Sequence, residues 1–279
     1  MISRRSFVLA SSGLLAGVGA LGGYTRYVEP QWLEVTKRRM TIRNLPASLV
    51  GRTLVQVSDI HVSEEVPDDY VRSTFATVRA LKPDIVAYTG DFTSRHDNEF
   101  EHAMSMYADL PRGVLGTVAS LGNHDYGNAW LHPEHAARTA AILRAQGVTV
   151  LVNDITDVAG LHVVGMGDLW AYAFDPRTAF ADLAPAAASL VLSHNPDTVD
   201  LPGWESYRGW ILAGHTHGGQ CKPPFLPPPM LPVKNRRYTS GEFALSNGRT
   251  MYINRGVGNV MPVRFNVRPE VTVFTLARA

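Results

Sequence analysis

Five short stretches of this 279-residue chain end in side chains that bind cations or move protons. Asp59-Ile60-His61 sets a carboxylate and an imidazole two positions apart, and Gly90-Asp91 adds a second carboxylate beside a glycine. Gly122-Asn123-His124-Asp125 supplies an amide oxygen, an imidazole and another carboxylate. His194 and then Gly214-His215-Thr216-His217 bring three more imidazoles. A single Asp or Asn after a strand is ordinary turn chemistry. Five of the ten histidines together with Asp59, Asp91 and Asn123 are not, because so many ionisable groups on adjoining loops would desolvate and repel one another without a cation among them. Nitrogen and oxygen donors in this mixture suit manganese, iron or zinc better than calcium, which prefers oxygen alone.

Something must carry these groups to one place. Apolar, β-branched runs at 53–57, 84–88, 116–120, 190–192 and 210–213 immediately precede them, and runs of this length read as strands buried on both faces. Segments 70–81, 99–110, 133–146 and 177–183 carry amphipathic helix patterns, with Pro83 closing the first. Strands alternating with helices predict an α/β fold. Ligands in such folds bind at the carboxyl ends of the strands, where the polar residues fall. No internal repeat or long linker follows Tyr24, so 24–279 is expected to be one domain.

The set D-x-H, G-D, G-N-H-D, a lone His and G-H-T-H closely resembles the calcineurin-like metallophosphoesterases. The resemblance continues through Gly218-Gly219-Gln220 and a tail from Asn254-Arg255-Gly256 through Arg264 to Arg268-Pro269-Glu270, where it looks like a bacterial branch of exported or membrane-associated phosphodiesterases. It implies a four-layer α/β/β/α sandwich with a dinuclear site at the strand C-terminal ends, holding two divalent or trivalent ions of Mn, Fe or Zn. One ion would take Asp59, His61, Asp91 and His217. The other would take Asp91, Asn123, His194 and His215, with Asp91 shared. The implied activity is phosphoester hydrolysis by metal-hydroxide attack, as a phosphodiesterase or pyrophosphatase, and no member of the ligand set is missing. The resemblance also implies that His124 stands beside the substrate as a proton donor or transition-state stabiliser. Asp125 either orients that ring or caps the following turn.

The remaining features bound the setting. Lys and Arg number 26 against 25 Asp and Glu, so no basic field draws nucleic acid. The one cysteine, Cys221, excludes disulfides and Cys-rich metal sites, and is expected to be a buried small residue. Residues 1–23 pair Arg4-Arg5 with a mildly apolar run diluted by glycine and serine, which resembles a twin-arginine export signal, an ordinary secretory signal being the alternative. That run falls just short of the ~18 apolar residues of a spanning helix, leaving cleavage or retention as an anchor open. The expected partners are therefore the twin-arginine translocase, a membrane or cell-envelope surface and a phosphoester substrate. The expected location is the periplasm or the outer face of the cytoplasmic membrane. A cell-envelope or lipid-linked substrate leads, with a phosphomonoester or nucleotide diester as the alternative. A noncatalytic metal-bound scaffold is the competing class, although it would have no reason to retain His124. Lys37-Arg38-Arg39 and Lys234-Asn235-Arg236-Arg237 read as solvated faces that could also meet anionic head groups. The segment 222–232, with Pro223, Pro224, Pro227, Pro228, Pro229 and Pro232 around Phe225, Leu226, Met230 and Leu231, is expected to pack on the protein's own core.

Overall fold

A computed structural model describes residues 4–94 and 99–279; Met1, Ile2 and Ser3 of the expected export signal lie outside the described residues. The strands are β1 (Glu34–Ile42), β2 (Thr53–Val57), β3 (Ile85–Thr89), β4 (Gly116–Ser120), β5 (Thr149–Leu151) and β6 (Asp154–Val158). They continue with β7 (Leu161–Gly165), β8 (Ser189–Leu192), β9 (Trp210–Ala213), β10 (Gly241–Ala244), β11 (Thr250–Ile253) and β12 (Glu270–Arg278). The helices are α1 (Arg4–Gly23), α2 (Asp68–Ala80), α3 (Phe100–Met106), α4 (Pro133–Ala145) and α5 (Pro176–Ala179).

The strands form two six-stranded sheets, ordered β1-β12-β2-β3-β4-β5 and β10-β11-β9-β8-β7-β6. The centre of each sheet is parallel: β2-β3-β4-β5 in one and β11-β9-β8-β7 in the other. Antiparallel pairs sit where the chain turns back, at β12-β2, β6-β7 and β10-β11. Between the sheets lies a dry core including Leu54, Ile85, Val118, Leu190, Leu212 and Phe274. Burying each such large side chain contributes about 1.5–3 kcal/mol. A second core, including Phe75, Tyr107 and Leu143, seals α2, α3 and α4 onto the first sheet.

The fourth layer departs from expectation. The helix expected over 177–183 shrinks to the four residues of α5, which begins at a proline capped by the Asp175 carboxylate. Beyond it Phe180, Trp204 and Tyr207 stack on one another and cover the second sheet with rings instead of helix. The helix expected over 99–110 is likewise shortened to α3 and a following single turn. The architecture remains an α/β/β/α sandwich, with a thin outer layer on one side.

The chain just after α1 is fastened to the body. Arg264 donates its backbone N–H to the Thr25 carbonyl at 3.0 Å, and Val267 donates to the buried Glu29 carboxylate at 2.6 Å. Helix α1 precedes this clasp with Leu14, Leu15, Val18 and Leu21 exposed. Among the described residues no helix is long and apolar enough to cross a membrane.

Candidate metal centre

Strands β2, β3 and β4 of the first sheet and β8 and β9 of the second all point their carboxyl ends at one place. Asp59, Asp91 and Asn123 therefore arrive from one sheet, while His194 and His215 arrive from the other. Polar bonds clasp the sheets where they meet. Gln56 donates to the Ala213 carbonyl at 2.9 Å, His194 Nδ1 contacts the Thr89 carbonyl at 2.7 Å, and the His215 N–H reaches the Asp59 carboxylate at 2.9 Å.

The structure brings all seven expected ligands together, every one buried. His217 Nε2 lies 3.3 Å from Asp59 Oδ1 and 3.1 Å from His61 Nε2. Asp91 Oδ2 stands between two groups, 3.4 Å from His61 Nε2 and 3.1 Å from His194 Nε2. His194 Nε2 is in turn 3.3 Å from His215 Nδ1. Asp59, His61 and His217 thus form one cluster, and Asp91, His194 and His215 another. The Asn123 side chain is fully buried, and neither its oxygen nor its nitrogen has a hydrogen-bond partner among the described residues.

Backbone strain accompanies the cluster. Asp59, His61, Asp91, His215 and His217 all have φ between 48° and 72°, a region that costs a residue with a side chain and persists where surrounding structure enforces it. Glycine is required beside them for a second reason. A Cβ at Gly122 would collide with the Asp91 carboxylate, and one at Gly214 with that of Asp59.

Burial sets the protonation. It pushes the His61 and His215 imidazoles down to about 3 and His217 well below the usual range, so these rings stay neutral with lone pairs available. Burial also lifts the Asp59 carboxyl to about 7. Asp91 and His194 are both buried against their charged forms but oppose that effect by pairing. The acid is held well below, and the imidazole well above, its ordinary value. Neutral imidazoles converge with two carboxylates in one buried space, and the orphaned Asn123 amide oxygen needs a partner. The donor set fits a pair of transition-metal ions, which would displace the shared proton as they bind. Outer hydrogen bonds already orient the rings: His194 on the Thr89 carbonyl, and His215 Nε2 on the Pro232 carbonyl at 2.8 Å.

His124 and Asp125 part company. The His124 backbone is pinned, its N–H on Asp91 Oδ1 at 2.9 Å and its carbonyl accepting from the Thr93 hydroxyl at 2.9 Å. Its half-buried ring lines the cavity over the metal ligands, edge-on to His61 with centroids 4.9 Å apart. The Asp125 carboxylate accepts from the N–H groups of Asp91, Phe92, Thr93 and Gly122 and from the Thr93 hydroxyl. A carboxylate has about four acceptor sites, so these donors fill it. Asp125 braces the Asp91 loop against the Asn123 loop, which is the turn-capping role, and leaves no acceptor site for the neighbouring ring. Asp168 caps a turn through one oxygen, while its other oxygen is buried without a partner among the described residues.

The cavity itself, about 580 Å³, joins His124, His215 and His217 to an apolar wall of Met230, Leu231, Val260 and Met261. The expectation that 222–232 packs on the core fails here. Phe225 is fully exposed, and Leu226 and Met230 are exposed as well, because the prolines hold the segment across the rim instead of folding it inward. Cys221 is half-buried, and burial pushes its thiol up, which is wrong for a nucleophile. Sequence reasoning missed Trp130 and Trp170, which wall the cavity, and the fully buried Arg264, whose guanidinium holds the carbonyls of Arg255, Gly256 and Gly258 beneath His217. Nothing in their local spacing marks them.

Comparison with known proteins agrees with this geometry. A family model described as calcineurin-like phosphoesterase matches residues 52–219. The phosphodiesterase YaeI of Escherichia coli (strain K12) is 34% identical, over 99% of this chain and 100% of its own length. The uncharacterized metallophosphoesterase YkuE of Bacillus subtilis (strain 168) is 31% identical over 99% of this chain and 98% of its own length. The UDP-2,3-diacylglucosamine pyrophosphatase LpxG of Chlamydia trachomatis is 27% identical over 89% and 90%.

Proposed function

Since this chain belongs to the calcineurin-like phosphoesterase family and is a metal-dependent phosphoester hydrolase, we propose that it cleaves a phosphodiester or diphosphate bond in a lipid-linked, cell-envelope substrate. The observation that carries the reading is the pair of buried ligand clusters, with Asp91 reaching from one to His61 of the other, beside a cavity with an apolar wall. Two metal ions bound there would supply Lewis-acid activation of water and neutralise charge on the phosphoryl oxygens. The first ion would be held by Asp59, His61, Asp91 and His217, and the second by Asp91, Asn123, His194 and His215. Around them the chain positions groups already fixed in place. His124 offers its ring to the leaving oxygen and transfers a proton to it. Asp125 keeps the loops of Asp91 and Asn123 in register. The Met230, Leu231, Val260 and Met261 wall excludes water from one side. Hydrolysis of a chromogenic bis-aryl phosphodiester with Mn, abolished by a chelator and restored by metal, is the expected result. A metal-loaded protein inert toward phosphoesters would instead be a scaffold.

The lipid-linked part rests on the rim. Met230 lines the cavity, Phe225 and Leu226 are exposed a few residues before it in the chain, and Lys234, Arg236 and Arg237 follow. LpxG is named for a diacylated substrate. The double variant Phe225→Ser, Leu226→Ser should lose most of its rate on a phosphoester lipid in liposomes while keeping its rate on the soluble diester. Equal loss on both would reduce the loop to a support of the fold.

Export by the twin-arginine route to the outer face of the cytoplasmic membrane is part of the same proposal. The route carries folded proteins, and the Thr25 and Glu29 clasp makes the segment after the signal part of that folded body. Changing Arg4→Lys and Arg5→Lys should leave active, metal-loaded enzyme in the cytoplasm, as fractionation and activity assay would read. Normal export of that variant, or export in a strain lacking the translocase, would contradict the route.

A further inference from the structure

Two indole rings divide the cleft. Trp130 and Trp170 lie with centroids 4.6 Å apart and planes tilted by 35°. Trp170 stands edge-on to His215 at 4.4 Å, and Trp130 edge-on to His124 at 6.3 Å, so each indole touches a residue of the metal site. On one side is the 580 Å³ cavity with its apolar wall. On the other, sharing Ala129, Trp130 and Trp170, opens a second cavity of about 540 Å³ lined chiefly by apolar groups such as Leu131, Leu169, Tyr172 and Leu201, with Asp197 and Asp200 among them. Its two carboxylates are fixed in advance. Asp197 accepts the N–H groups of Lys234 and Asn235, and Asp200 accepts from the Asn235 amide and the Tyr238 hydroxyl. The loops that present the indoles are strained: Ala129, Trp130 and Tyr172 have φ of 55°, 63° and 56°. Such conformations gather where a side chain must be held in one place for function.

A phosphomonoester has one organic group and would leave one of these cavities without an occupant. A diester or a disubstituted diphosphate has two. Resting on the phosphoester-hydrolase reading above, we propose that the Trp130–Trp170 pair is the specificity partition of the site. It seats one arm of the substrate in each cavity, and so selects doubly substituted phosphoesters over monoesters. The indoles act by contact with the arms and take no part in the bond cleavage. Their contribution therefore appears mainly in KM for two-armed substrates.

Full-length wild type, Trp130→Ala, Trp170→Ala and Trp170→Phe, each loaded with Mn, should be assayed on bis-nitrophenyl phosphate and on nitrophenyl phosphate. Both alanine variants should keep wild-type metal content and lose ~10–100-fold in kcat/KM on the diester, a loss at least about tenfold larger than on the monoester. Trp170→Phe, which keeps an aromatic face, should recover most of it. Equal losses on both substrates, or an undiminished rate on the diester, would overturn the partition. A wild type that hydrolyses neither substrate would overturn the hydrolase reading itself, and the partition with it.

Discussion

Replacing Asp91 with alanine should empty both metal positions together and lower hydrolysis by ~10³-fold or more, beyond the ~10²–10³ that loss of a single transition-state contact costs. The carboxylate stands between the two clusters. Oδ2 stands 3.4 Å from His61 Nε2 and 3.1 Å from His194 Nε2, and Oδ1 accepts the His124 N–H. Its removal leaves His194 without the anion that stabilises its protonated form and unpins the His124 backbone. Asn123→Ala should weaken chiefly one position, because the family resemblance assigns its amide to a single ion. Metal content by mass spectrometry after exhaustive dialysis reads both variants. Two ions retained in the Asp91 variant would sink the shared-ligand assignment.

His124→Ala should behave in the opposite way, keeping both metals and losing turnover by ~10²–10⁴, the range of a positioned general acid. Metal retention follows from the structure, since the bond from His124 to Asp91 is made by the backbone N–H and survives the substitution. What disappears is the ring in the cavity. The loss should be large for an alkyl diester, whose alkoxide must be protonated as it leaves, and smaller for a nitrophenyl diester, whose phenolate leaves unaided. Equal losses would assign His124 to charge stabilisation and remove its role as an acid.

Much of this site is written locally in the chain. A parallel strand buried on both faces is mostly apolar, so β2, β3, β4, β8 and β9 each stand out as a short, mainly apolar run broken only by small or single polar residues such as Gln56 and Thr117. The polar residues that follow them mark the loops. Elements elsewhere were not legible in this way. β1, Glu34–Ile42, carries Lys37, Arg38 and Arg39 on exposed positions, and only its pairing with β12 makes it a strand. The hairpin of β6 and β7 is short and half-polar, closed by Ala159 and Gly160 at positive φ. The outer layer on the second sheet was expected as helix because 177–183 has helical spacing, but packing of Phe180, Trp204 and Tyr207 overrides that weak local preference.

The sequence by itself determined the donor inventory, the α/β alternation and the placement of each donor at a strand end, because these depend on residue type and short-range period alone. Only the tertiary structure decided that the five strands belong to two sheets, and that the centre forms where the carboxyl ends of their interior strands meet. It alone gave the Asp125 carboxylate to the backbone, since the acceptor sites of a carboxylate are filled by whichever N–H groups folding brings near. It also set Trp130 and Trp170 against each other from loops 40 residues apart in the chain, and left Phe225 in the open. Contacts of that kind are chosen by long-range packing, and no local pattern of residues encodes them.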